Sequence, residues 1–196
     1  MRPHVRGLAW LAAGMLCAAA LISPGQHARG QDAKKAAEAQ RQDAAARRQY
    51  NTAAGLQKAG ELETAVEEWR LFLQKHPQHE LAPAAQHYLG VCLLKLQKYD
   101  EAAEAFAGML GAAPQHELAS TACLYLGMAH FNAARQGKAE RYAQAIEAFQ
   151  TVASKYGRSK EVPRALLYHA DSLYDLGRKP EALQLYQQLV AKFPKD

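Results

Sequence analysis

A helical pattern centred on Trp69 returns at Phe106, Phe149 and Tyr186, each time with an alanine four residues earlier, at Ala65, Ala102, Ala145 and Ala182. The steps are 37, 43 and 37 residues, so the middle one is the same unit carrying six more. The punctuation keeps the same count, because Pro77, Pro114, Gly157 and Pro194 stand 37, 43 and 37 residues apart. Even a linker is copied: Pro77-Gln78-His79-Glu80-Leu81-Ala82 recurs as Pro114-Gln115-His116-Glu117-Leu118-Ala119. A fixed period of this size marks a stacked-repeat architecture, in which each unit buries its apolar face against its neighbours. Such a chain presents an extended surface instead of enclosing a catalytic pocket, so the first expectation is a binder.

The first 30 residues read as something other than this array. Arg2, His4 and Arg6 precede an apolar stretch from Leu8 to Ile22, which Pro24-Gly25 breaks before the small residues Ala28 and Gly30. That order predicts a secretory signal peptide over residues 1–30, cleaved after Gly30. The apolar run is 15 residues long, short of the roughly 20 that a membrane-spanning helix needs. Retention as an uncleaved anchor is the alternative. Leu16 stands where a lipidation motif wants a small residue before Cys17. The expected product is exported, periplasmic or otherwise extracytoplasmic, with no membrane insertion after cleavage.

Export changes the charge argument. Residues 1–30 hold three arginines and no acid, so the net charge of +5 falls to +2 without them. Acids and bases interleave over the remainder, which argues against a nucleic-acid footprint. Cys92 and Cys123 are the cysteines left. They fall six residues out of step on parallel helices, an offset of roughly 9 Å at 1.5 Å per residue, beyond disulfide reach. Two separate buried thiols are expected.

Residues 31–45 form an Ala/Gln/Lys/Arg-rich lead-in or linker, helical by propensity but without an apolar face to bury, and this character persists to residue 49. The repeat domain is assigned to 46–196, with copies at about 46–82, 83–119, 120–162 and 163–196. Helices are predicted near 46–58, 61–75, 80–97, 99–112, 116–134, 140–155, 160–176 and 179–193. Gly60 and Gly177 fall between paired helices, where a residue tolerating positive φ ends a helix; Pro83 and Pro163 fall in first turns, where a missing N–H costs little. The six added residues of the third copy fit either a loop or extra turns on its helices.

The register of small and aromatic residues resembles the tetratricopeptide repeat family over about residues 46–194. Small positions at Ala53, Gly90, Gly127 and Ala170 face the alanines and aromatics of the second helices, because two backbones cross closely only where side chains are small. The resemblance implies an all-α, right-handed helical-hairpin solenoid of four tetratricopeptide-like repeats. The long linkers, the export signal and phrases such as Tyr88-Leu89-Gly90 also resemble the C-terminal domain of YbgF-type proteins of the Tol-Pal system and the periplasmic assembly proteins of the outer-membrane machinery. Residues 31–49 depart from the former by lacking the apolar heptads of its coiled coil.

In that family the first helices line a concave groove that holds partners. Carrying the register over gives His87, Val91, Leu94, Lys95, Leu124, Met128, Phe131, Leu167, Asp171 and Tyr174 as candidate groove residues, with Arg47, Tyr50, Ala54, Gln57 and Lys58 from the first copy. A groove lined in this way suits the apolar face of a peptide or partner helix. The positions that clamp a terminal carboxylate in the peptide-binding variant hold Tyr50, Ala54, His87 and Val91 here, which argues against that mode.

His76 and His79 lie in a helix-ending linker with no cysteine or carboxylate cluster to complete a metal shell. His130 and His169 fall at positions that pack inside a repeat. With no nucleophile motif or phosphate loop, the expectation is no enzyme, no metal and no cofactor. The reading is an envelope scaffold for a protein or peptide partner. Its alternative is a structural module that self-associates through an uncapped C-terminal repeat, or the N-terminal part of a longer array.

Overall fold

The computed structural model describes residues 24–194, with side chains from residue 31 onward, so the signal sequence expected over 1–30 lies largely outside the described residues. Among these residues the chain forms eight helices: α1 (Pro24–Ala59), α2 (Leu62–Lys75), α3 (Ala82–Lys95), α4 (Tyr99–Ala112), α5 (Ala119–Arg135), α6 (Arg141–Lys155), α7 (Val162–Asp175) and α8 (Lys179–Lys192). The first helix starts at Pro24, well before residue 46. Its N-terminal part, through Arg41, is a unit apart from Gln42–Asp196. Residues 31–41 are exposed, as expected of a segment with no large apolar side chain.

From Gln42 onward the helices pair as hairpins and stack in order, a helical-hairpin solenoid. The second helices α4 and α6 each pack on the first helix of their own hairpin and on that of the next, α2 packs on α3 and, through Trp69, on Tyr50 and Gln57 of α1, and α8 packs on α7. The second helices show why. In α2, Ala65, Val66, Trp69 and Phe72 recur at the spacing of one helical face, and all four are buried. The corresponding residues of α4 are Ala102, Ala103, Phe106 and Met109, and those of α6 are Ala145, Ile146, Phe149 and Val152, again buried.

Close crossing within a hairpin depends on the small residue of its first helix. A Cβ built on Gly90 would stand 2.8 Å from two ring atoms of Phe106, and one on Gly127 would stand 2.4 Å from Phe149. The same aromatics then reach forward. Trp69 stacks on Tyr88 with centroids 5.8 Å apart, Phe106 meets Tyr125 at 5.7 Å, and Phe149 stacks on Tyr168 at 5.8 Å. Each ring therefore ties a hairpin to its successor. Tyr186 has no such ring partner among the described residues, and its hydroxyl donates to Asp171 Oδ1 at 2.6 Å.

The copied linkers do the work of helix caps. The residues that immediately precede α3, α5 and α7 make no capping side-chain bond. Two residues earlier, however, His79 Nδ1 accepts from the Leu81 N–H and His116 Nδ1 from the Leu118 N–H, both at 3.1 Å. Ser159 Oγ plays that part for Glu161 at 3.2 Å. One otherwise orphaned donor is satisfied at each helix start. His79 Nε2 in addition lies 3.0 Å from Asp43 Oδ1.

The six extra residues of the third copy are shared out. The first helix α5 has 17 residues where α3 and α7 have 14, α6 gains one, and the turn between them is longer. Lys138 of this turn and Arg141 at the start of α6 reach back to the two carboxylate oxygens of Asp100 at the start of α4. Cys92 and Cys123 are separate, buried and unbridged.

Candidate partner-binding groove

Turning one residue along a helix rotates the side chain by 100°. On each first helix the small residue Ala53, Gly90, Gly127 or Ala170 points at its own hairpin partner. The next residues, Ala54, Val91, Met128 and Asp171, therefore point off to the side, together with Lys58, Lys95, Asn132 and Asp175 one turn later. Because α3 neighbours α5 and α5 neighbours α7, these positions form two parallel rows across the first helices.

A cavity of about 460 Å³ opens at the start of the rows, lined by Tyr50, Ala54, Gln57, Lys58, Trp69, Tyr88 and Lys95. Its walls are packed against one another. Tyr50 meets Trp69 edge-on at 4.9 Å, and the Trp69 Nε1–H donates to Gln57 Oε1 at 3.0 Å. Burial pushes the Tyr50 hydroxyl up to about 12, so it remains a protonated donor at neutral pH. Lys58 and Lys95 are exposed at the rim, and neither has an ion-pair partner among the described residues.

The candidate residues divide into three groups. Lys95 lines the cavity, Val91, Met128 and Asp171 are half-buried along the rows, and Leu94, outside both rows, is half-buried against the core. Leu167 and Tyr174 are exposed on α7. His87, Leu124 and Phe131 belong instead to the core, at 4%, 1% and 5% exposure, so they offer no surface to a partner. For His87 and Phe131 the covering rings come from both the following first helix and the second helix of the same hairpin. His87 sits among Tyr88, Phe106 and Tyr125 at 5.3, 5.7 and 5.9 Å, while Phe131 is held by Tyr142 and Tyr168 at 6.0 and 5.5 Å. The apolar stretch open to a partner is correspondingly narrower: Val91, Leu94 and Met128, with Leu167 beyond. The residues not anticipated as walls are Trp69 and Tyr88, although Tyr88, Tyr125 and Tyr168 recur at the repeat steps of 37 and 43.

Two of the linker histidines have structural employment. His79 and His116 cap helices through their linkers. His169 is buried and His130 half-buried; both are held below the ordinary imidazole range by burial first and by the nearby Arg178 and Arg141 respectively. A second opening, of about 520 Å³, lies among the linker residues His116, Glu117, Tyr156, Arg158 and Ser159, with Ser154 at the end of α6. Tyr156 is its one tyrosine, where the first opening has Tyr50, Trp69 and Tyr88 together.

The family model described as Tetratricopeptide repeat matches residues 50–117 and 132–196. Among solved structures, the chain is similar to MamA residues 41 to the end from Desulfovibrio magneticus RS-1, with 20% identity, 77% of each chain covered and a TM-score of 0.63. It is also similar to MamA of AMB-1, with 21% identity, 74% of this chain and 71% of that one covered, and a TM-score of 0.60. The nearly identical TPR-like repeats of a Podosopora anserina kinesin light chain give 18% identity, 73% and 72% coverage, and a TM-score of 0.59. At these identities the likeness is one of fold. No curated protein matches the chain.

Proposed function

The chain belongs to the tetratricopeptide repeat family, and from that premise we propose that it is a protein-interaction scaffold of the cell envelope, capturing a peptide or protein segment along the face of its first helices. Repeats of this family generally serve as non-enzymatic scaffolds that bind protein partners. The single observation that carries the groove assignment is the walled cavity at Tyr50, Trp69 and Tyr88, continuous with the row of Ala54, Val91 and Met128. Aromatic walls packed against one another bury a partner's side chain with little loss of their own freedom, which favours them as anchor pockets. Export rests on the basic, apolar and small-residue order of residues 1–30. No helix among the described residues is long and apolar enough to cross a membrane.

The experiment is comparative capture from an envelope fraction. Wild type, a Val91→Glu/Met128→Glu variant and an Ala107→Glu control on the exposed side of α4 are immobilised in parallel. A partner retained by wild type and control but lost by the double variant supports the groove; equal retention by all three removes it. Localisation is checked by fractionating cells that produce the full chain, where a cytoplasmic, unprocessed product would defeat the export assignment.

One observation favours a second reading, self-association through α8. Leu183 and Val190 are 57% and 68% exposed on its outer face. Exposed apolar side chains two turns apart on one side of a helix mark a surface that another helix can cover.

A further inference from the structure

The two rows carry a charge order that follows the repeat. Lys58, Lys95, Asn132 and Asp175 occupy one register position in the four copies, at steps of 37, 37 and 43 residues. Beside them run Ala54, Val91, Met128 and Asp171. The surface therefore passes from two lysines, through an uncharged and partly apolar middle, to two aspartates one turn apart on α7. At the first end the cations are free to act. Lys58 and Lys95 share the rim of one cavity, while the nearby Arg47 is already engaged by Asp43 and Glu80. At the other end Asp171 accepts from the Tyr186 hydroxyl and Asp175 from the Tyr142 hydroxyl, at 2.6 and 3.0 Å. Arg135 also stands 3.8 Å from Asp175, so the acidic end is the more compensated of the two.

We propose that the groove selects a dipolar segment of a partner protein, in one polarity. Side-chain carboxylates of the partner sit between Lys58 and Lys95, apolar side chains follow over Val91 and Met128, and a basic side chain ends beside Asp171 and Asp175. Charge complementarity carries this assignment. A segment laid the other way would set like charges against each other at both ends, and such juxtapositions discriminate more strongly than favourable pairs attract. Apolar contacts supply affinity and the charges supply direction. The inference rests on the groove reading above and adds the chemistry of the occupant.

Three blocked peptides of equal length test it against the full chain by fluorescence anisotropy. Each has the same Leu/Gln centre, flanked by glutamates at one end and lysines at the other, by lysines at both ends, or by serines at both ends. The dipolar peptide is expected to bind about tenfold more tightly than the serine-flanked one at low salt, with the advantage shrinking as salt rises. A Lys58→Glu/Lys95→Glu variant, changed only at exposed positions, is expected to lose that advantage and to prefer the peptide with lysines at both ends. Equal binding of the dipolar and serine-flanked peptides overturns the inference while the groove itself stands. Retention of the wild-type preference by the variant overturns it in the same way. Binding of none of the three also overturns it, and the groove is then judged by the capture experiment alone.

Discussion

Gly90 and Phe106 are in such close contact that a methyl group on the glycine would stand 2.8 Å from the ring. Phe106 is fully buried and backed by Tyr125, so the ring has no easy retreat. Gly90→Ala is therefore expected to destabilise by about 1–3 kcal/mol, the usual range for overpacking a tight core. Gly127→Ala, with Phe149 at 2.4 Å, should cost at least as much. Gly55 supplies the contrast, since nothing lies within 4 Å of a Cβ built there. In the interior of α1, Gly55→Ala should raise stability by roughly 1 kcal/mol through helix propensity. Urea denaturation of the three variants checks the signs; equal effects at Gly55 and Gly90 would refute the crossing argument.

The same contact shows how much of the structure is legible in the chain. A close crossing needs a small residue and an aromatic at fixed register, and both recur visibly, so the fold can be read directly. Burial of individual groove candidates cannot. Helical periodicity gives the direction in which Leu124 and Phe131 point, but their burial depends on how tightly α5 is flanked by α3 and α7 and on where the third copy places its extra residues. Phe131 is covered in part by Tyr142, which lies just beyond the lengthened turn. The linker histidines are recognisable as structural from their place after a helix end, yet their capping role emerges only from the path of the linker around His79 and His116.

Gln97 occupies a left-handed conformation, φ 59°, at the turn between α3 and α4. The corresponding turns hold Gly60 and Gly177, at φ 87° and 79°. A side chain in this region costs roughly 1–2 kcal/mol, whereas glycine adopts it freely but loses more chain entropy on folding. The balance predicts that Gln97→Gly stabilises by about 0.5 kcal/mol. Thermal unfolding at matched pH reads this directly, and a lowered midpoint would contradict it.

His87 should make the solenoid sensitive to acid. Burial pulls its imidazole down from 6.5 to about 4, with a smaller push from His116, and its Nδ1 has no hydrogen-bond partner. The sign follows from proton uptake. Between pH 6.5 and 4 the unfolded chain holds a proton on this ring that the folded chain does not, so stability rises with pH across that window. The contribution is complete above pH 6.5 and is lost as pH falls toward 4, by roughly 3 kcal/mol in all. His87→Leu removes both the titration and the unpaired nitrogen. Its stability should therefore depend less on pH between about 7 and 4 than that of wild type; parallel curves in urea at several pH values would exclude His87 as the cause.

The thiols of Cys92 and Cys123 are expected to be inert in the folded chain. Each is buried and pushed up to about 11, by burial above all, so little thiolate forms at about pH 8. Cys123 also donates through its sulfur to the Ala148 carbonyl at 3.3 Å. Alkylation followed by peptide mapping should leave both unmodified under native conditions and modify both in denaturant. Rapid native labelling of either would show that its hairpin opens readily.

The outer face of α8 leads to the last prediction. Val66, Ala103 and Ile146 stand where Leu183 stands, and they are 3%, 6% and 8% exposed because the following first helix covers them. Leu183 is 57% exposed, and Val190, seven residues on along the same face, is 68% exposed. The same position is thus buried wherever a successor exists and open where none is described, so the attraction that stacks the hairpins remains unused on α8. Light scattering of residues 31–196 should then show an apparent mass that rises with concentration. Leu183→Lys/Val190→Lys should abolish the rise while leaving the thermal midpoint close to wild type, since both side chains already face water. A mass independent of concentration in the parent chain would show that this face is tolerated as an exposed end, and would leave the groove as the surface through which the solenoid meets its partner.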